Sequence, residues 1–165
     1  MGRLRLRSVL GDDFCISVAK AVEKRLHEFP TLGLSNVLSG MEMLSIGTDA
    51  VGVQWFQKWC QMAKLEEFNW KDLSRVIHSF AGLNIGPSVV GEAFFVAWSK
   101  AMLQPHIVFD SDIAHVVTGL RKLGVGYEMI GPQLGEKIMS QAHMEGFENN
   151  HAALENLGIK VKAKA

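Results

Sequence analysis

The chain has no surplus of either charge: 17 Lys and Arg face 17 Asp and Glu, so the formal net charge of the 165 residues is zero. A protein held to nucleic acid or to a membrane surface by charge normally carries an excess of one sign, so both classes are disfavoured. Cysteine is scarce. Cys15 and Cys60 are the only two, too few for a disulfide framework and in keeping with a reducing compartment. Long apolar runs are missing too. The longest uncharged stretch, residues 76–91, carries His78, Asn84 and Pro87 among glycines and serines, too polar and too short to span a bilayer. What is present is apolar material, 48% of the residues, enough for the core of one domain and too much for a disordered chain.

Recognisable catalytic or metal-binding patterns are also lacking. His27, His78, His106, His115, His143 and His151 show no His-x-x-x-His or His-Glu-x-x-His spacing, and the two cysteines lie far apart, so no metal site is expected. Cys15 and Cys60 fall in helical patterns, where thiols usually pack. Gly124, Gly126 and Gly131 look superficially like a phosphate loop, but no strand precedes them. No serine sits in a nucleophile-elbow pattern. The acid pairs Asp12-Asp13 and Glu66-Glu67 read as solvated helix-start and loop positions. The expectation is a non-enzymatic protein without cofactors.

Self-similarity is the strongest signal. At an offset of 39, Phe29/Phe68, Leu34/Leu73, Ser35/Ser74, Val37/Val76, Leu44/Leu83, Ile46/Ile85 and Gly47/Gly86 are identical, as are Val51/Val90, Gly52/Gly91, Phe56/Phe95 and Trp59/Trp98. At a further offset of 40 come Asp72/Asp112, Val76/Val116, Leu83/Leu123, Gly86/Gly126 and Gly91/Gly131.

Each unit reads as two helices. Leu34, Val37, Leu38, Met41 and Leu44 recur at helical spacing as Leu73, Val76, Ile77, Phe80 and Leu83, then as Ile113, Val116, Val117, Leu120 and Leu123. The column Gly47/Gly86/Gly126 is expected to close each first helix with a positive φ. Second helices are expected from Thr48 as an N-cap, from Pro87 in a first turn, and from Tyr127. Their apolar stripes are Val51, Trp55, Phe56, Trp59 and Met62, then Val90, Phe94, Phe95, Trp98 and Met102. Gly52, Gly91 and Gly131 fall inside these helices, which predicts close packing there.

The fold expected is all-α: an α-solenoid of about three helix-hairpin repeats with half-repeat caps and about seven helices. A basic N-terminal arm and capping helix would occupy residues 1–28, with Phe14 to Leu26 the second helix of an incomplete copy. Repeats would follow at 29–67, 68–107 and 108–148, and a short helix with a basic tail at 149–165.

Polar positions of stacked first helices should form ladders along one face. Two can be read, Asn36/Arg75/His115 and Ser39/His78/Thr118, with Arg121 and Lys122 extending the third copy. They are either an RNA-reading column or ordinary exposed helix surface. Trp55, Trp59 and Trp98 lie in a core register, and Trp70 is the best candidate for an exposed aromatic. The ends are basic. Arg3, Arg5 and Arg7 precede any acid, a start similar to a short organelle transit peptide, and Lys160, Lys162 and Lys164 close the chain without one. These ends are either arms touching RNA or an acidic partner, or solvated tails. Residues 1–28 hold six bases and four acids, and residues 149–165 three bases and one acid. The third copy is acidic, with three bases against six acids, so the array alone should hold RNA weakly.

The stretches Phe68-x4-Leu-Ser-x-Val-Ile-x-x-Phe-Ala-x-Leu-x-Ile-Gly86 and Phe29-x4-Leu-Ser-Asn-Val-Leu-x-x-Met-x-x-Leu-x-Ile-Gly47 resemble octotricopeptide-type repeats, the helix hairpins found with RAP domains in organelle proteins. The resemblance covers roughly residues 29–144. It implies an α-solenoid resident in an organelle, the mitochondrion ahead of the plastid, bound to organellar transcripts or ribosomal RNA. It further implies polar first-helix positions at Ser35 and Asn36, Ser74 and Arg75, and Ala114 and His115. Ser39, His78 and Thr118 stand where the family often has tryptophan, and no RAP-like domain follows. The functional expectation is a structural subunit of a mitochondrial or plastid ribosome that contacts ribosomal RNA and other protein subunits without spanning a membrane. The alternative is a protein scaffold or accessory subunit of a respiratory or photosynthetic membrane complex, favoured by zero net charge and by Met41, Met43, Met102, Met129 and Met139 as adaptable contacts.

Overall fold

The computed structural model describes residues 3–108, 113–144 and 158, of residues 3–6 and 142–144 the backbone alone. Among the described residues there are eleven α-helical segments and no strand. In order they are α1 (Arg3–Leu10), α2 (Asp12–Lys24), α3 (Thr31–Met43), α4 (Thr48–Val51), α5 (Val53–Met62), α6 (Trp70–Leu83), α7 (Pro87–Val90), α8 (Glu92–Met102), α9 (Ile113–Lys122), α10 (Tyr127–Ile130) and α11 (Pro132–Met144). No helix among them is long and apolar enough to cross a membrane.

The three first helices end by one device. Ser45, Asn84 and Gly124 take positive φ (53°, 57° and 69°), and the next residue's N–H reaches back five positions. Ile46 N–H donates to Met41 O at 2.9 Å, Ile85 to Phe80 O at 2.8 Å, and Val125 to Leu120 O at 2.9 Å. This is a Schellman stop, closed by the apolar contact of that residue with the one it bonds. Ile46, Ile85 and Val125 are accordingly buried. The recurrent Leu-x-Ile-Gly motif thus encodes a helix stop whose left-handed residue is x. The expectation for Gly47, Gly86 and Gly126 is corrected: all three are extended, with φ near −95° to −101°. Gly86 is small because a Cβ there would sit 3.1 Å from Leu123 O, the end of the next unit's first helix.

The second helices also differ from expectation. Each begins as a four-residue turn, α4, α7 or α10, and breaks at Gly52, Gly91 or Gly131 before the long helix α5, α8 or α11. These glycines have φ of 81°, 85° and 77° with ψ near 150–163°. That region is open almost only to glycine. A Cβ at Gly91 or Gly131 would meet nothing within 4 Å, so close packing is not the reason for the residue. Thr48 is the first residue of its turn and makes no side-chain cap. Gly11 (φ 83°, ψ 143°) precedes α2 in the same way, and its N–H bonds Arg7 O as Gly52, Gly91 and Gly131 bond Thr48, Pro87 and Tyr127. α2 therefore starts as the other second helices do.

Packing follows the same periodicity. α6 lies between α3 and α9, while α2 packs on α4 and α5, α5 on α7, and α8 on α10. Most of the apolar columns read from the sequence form the core: Leu34, Leu38 and Met41 on α3, Leu73, Val76, Ile77 and Phe80 on α6, and Ile113, Val116, Val117 and Leu120 on α9 are buried, while Val37, Leu44 and Leu83 are half-buried against it. Trp59 Nε1–H donates to Leu34 O and Trp98 Nε1–H to Leu73 O, both at 3.0 Å, tying each second helix to its own first helix. Trp55 Nε1–H reaches back to Ala19 O of α2 at 2.9 Å.

Where α9 meets α6 there is no room for a side chain. A Cβ on Gly119 would lie 2.7 Å from Ile77 Cγ2 and 3.4 Å from Ile77 O. A β-branched side chain on a helix has one favoured rotamer and little freedom to yield. Gly119→Ala is expected to destabilise the protein by about 1–2 kcal/mol, read as a lower urea midpoint with an unchanged m-value, overpacking outweighing the gain in helix propensity. A raised midpoint would show that the two helices can part without loss.

Candidate polar face on the first helices

Polar residues of the two ladders meet across neighbouring first helices at two places. Arg75 Nη1 donates to Asn36 Oδ1 at 3.1 Å, and the rings of His78 and His115 stand edge to face with centroids 6.1 Å apart. The face is therefore continuous from α3 through α6 to α9. Ser39 is half-buried and Thr118 exposed. Arg121 and Lys122 are exposed in the last turn of α9.

Beneath this face lies a polar layer that sequence reasoning missed. Asp72, 3% exposed, accepts from Ser35 Oγ at 2.7 Å and from Arg75 Nη1 at 3.4 Å. Arg75 also reaches Ser35 Oγ at 3.3 Å, so its guanidinium serves three internal acceptors. Asp72 is placed by the start of α6, where Asn69 Oδ1 caps its backbone N–H at 3.0 Å. One turn on, the buried carboxylate of Glu42 lies 3.6 Å from His78 Nε2 and 3.5 Å from Ser79 Oγ. It lies over Gly82, where any Cβ would collide with it. Among the described residues no buried side-chain nitrogen or oxygen lacks a partner. This layer fastens the first helices together, and what remains for an external partner is its outer rim.

The basic ends divide. Arg7 is committed internally: Nε pairs with Asp12 Oδ1 at 2.7 Å, and Nη1 donates to Ser45 O, the carbonyl at the end of α3, at 2.7 Å. Arg3 and Arg5 belong to α1, with side chains outside the described residues, and Lys160, Lys162 and Lys164 lie outside them altogether. Trp70 is corrected. It is buried, because Trp70, Leu73 and Ile77 share one face of α6 at spacings of three and four, a signal present in the sequence. Met41 and Met102 are core residues, Met129 and Met139 are half-buried, and only Met43 of the five is exposed.

Between α5 and α8 runs an open groove of about 830 Å³ lined by Gln57, Cys60, Glu66, Phe94 and Lys100 among others. Burial pushes the Cys60 thiol far above its ordinary range, so it stays protonated at neutral pH and is a poor nucleophile. Lys137 bonds Met102 O and Ile107 O, both at 3.0 Å, and desolvation lowers its pKa. Among the described residues no group of three His, Cys, Asp or Glu is arranged to hold a metal. The chain matches no family model, no curated protein and no solved structure.

Proposed function

We propose that the chain is a short α-solenoid acting as a non-enzymatic subunit of an organellar ribonucleoprotein, a mitochondrial or plastid ribosome, with ribosomal RNA and neighbouring proteins as its partners. The observation that supports this is the continuous polar face on α3, α6 and α9, in which Asn36 meets Arg75 and His78 meets His115. Arg121 and Lys122 add exposed positive charge at its edge. Phosphate contacts supply most nucleic-acid affinity, so these two and the basic ends carry the binding, while Arg75 acts mainly within the protein.

The Arg121→Ala/Lys122→Ala double variant is expected to weaken binding of a structured RNA and to flatten its salt dependence by roughly 0.9 per lost phosphate contact. Arg75→Ala should leave that slope unchanged and lower the melting temperature, because it leaves the Asp72 carboxylate with one acceptor bond fewer. Filter binding across a salt series reads both. Unchanged slopes for the double variant and for neutralised ends would refute the RNA reading. Native purification supplies the second arm, since recovery with an RNA-free membrane complex would favour the scaffold alternative. One observation favours that alternative: Arg7 and Arg75, two of the candidate RNA ligands, are already bound inside the protein.

A further inference from the structure

Charge is sorted among the helices, although the chain as a whole is neutral. The three first helices contain two acids, Glu42 and Asp72, and both are buried, at 5% and 3% exposure. Every charged side chain that these helices leave at the surface is basic: Lys71, Arg121 and Lys122 are exposed and Arg75 is half-buried. The exposed acids among the described residues all lie on other elements, Asp49 on α4, Glu92 on α8 and Glu136 on α11 among them. The zero net charge therefore conceals a surface on which only positive charge is presented.

The basic residues fall in line. Lys71, Arg75, His78 and Gly82 follow one another at spacings of four, three and four, one stripe of α6, and His115, Thr118 and Lys122 form the matching stripe of α9. α6 packs directly on α9, so the two stripes run side by side as one lane, in which His78 meets His115. The equivalent stripe of α3, made of Leu32, Asn36, Ser39 and Met43, carries no charge.

The side chains decide what such a lane can hold. Reading an unpaired base takes a ring to stack on or an open fork of donors and acceptors. The Trp and Phe of the first helices, Trp70 and Phe80, are buried. The two imidazoles stand at 86° to one another, so no flat base fits as a sandwich between them. Arg75 Nη1 is engaged with Ser35, Asn36 and Asp72, and Asn36 Oδ1 with Arg75. The lysines are point charges on flexible stems, suited to phosphate and indifferent to base identity. A duplex carries phosphates at higher density than a single strand and holds them in place beforehand. Charges fixed on a helix pair gain more from it.

Resting on the RNA reading above, we infer that the α6–α9 lane binds the phosphate backbone of double-stranded RNA without regard to base sequence.

Fluorescence anisotropy across a salt series tests this, with the full chain, two RNA hairpin duplexes of unrelated sequence and two unpaired strands of the same length. The duplexes should bind within about twofold of each other and about tenfold more tightly than the unpaired strands. Lys71→Ala should lower the salt slope by roughly 0.9, whereas Lys100→Ala, which removes an exposed lysine of α8, should leave it unchanged. Both are surface changes, so circular dichroism should show the fold kept. Unpaired strands that bind as tightly as the duplexes, or duplexes that differ by sequence, would overturn the inference and leave the RNA reading standing. Equal slopes for Lys71→Ala and Lys100→Ala would overturn it too, since binding would then lie off the lane. Binding to none of the four RNAs would refute both readings.

Discussion

Trp98→Ala is expected to destabilise the protein by about 3–5 kcal/mol and to lower its melting temperature by on the order of 10 °C. The side chain is fully buried on α8, and its indole N–H is bonded to Leu73 O of α6. Truncation leaves a cavity between a second helix and its own first helix, the contact on which each unit depends. Leu73 O keeps its bond within α6, so the loss is mainly packing, and Trp98→Phe should cost far less, about 1–2 kcal/mol. The third unit supports that ranking: Ile138 occupies the same column, fully buried and without any indole bond. Urea unfolding followed by near- and far-ultraviolet circular dichroism gives both numbers. A Trp98→Ala chain that melts with the wild type would show that the second helix is held by something other than this column.

The repeat, the apolar columns and the burial of Trp55, Trp59 and Trp98 were legible because they rest on periodicity, which packing enforces at every turn. Helix ends were less so. A residue that stops a helix is recognised by its φ, and the left-handed position here is held by Ser45, Asn84 and Gly124, three residue types with no shared appearance. The glycines two positions on share an identity but not a cause: a Cβ on Gly86 would crowd Leu123 O, whereas one on Gly126 would meet nothing within 4 Å. The polar face was legible as spacing alone. Which of its members are spent internally depends on Asp72 and Glu42, acids buried by neighbours some 37 residues away in sequence. No local pattern sets a buried carboxylate apart from an exposed one. Its partner across the helix pair, such as Gly82 under Glu42, becomes visible only once the helices are placed.

Gly91→Ala is expected to destabilise the protein by about 1–3 kcal/mol, and the cost lies wholly in the backbone. At φ 85° and ψ 151° an L-residue is strained, whereas the space around the added methyl is empty. Gly40→Ala is the matched control. Gly40 lies within α3, outside the left-handed region, and also has nothing within 4 Å of a Cβ. There the same methyl should stabilise by about 0.5–1 kcal/mol, because alanine loses less conformational freedom than glycine on entering a helix. One chemical change at two uncrowded sites should therefore move the urea midpoint in opposite directions. If Gly91 were an ordinary helical residue kept small for packing, Gly91→Ser would be worse than Gly91→Ala in proportion to its size. With the backbone as the cause, the two should be equally destabilising, and so should the same changes at Gly131, which has a φ of 77° and equally open surroundings. A stabilised Gly91→Ala chain would mean that the second helix can run unbroken from Pro87, and that the break before α8 is not required by the packing of α8 on α10.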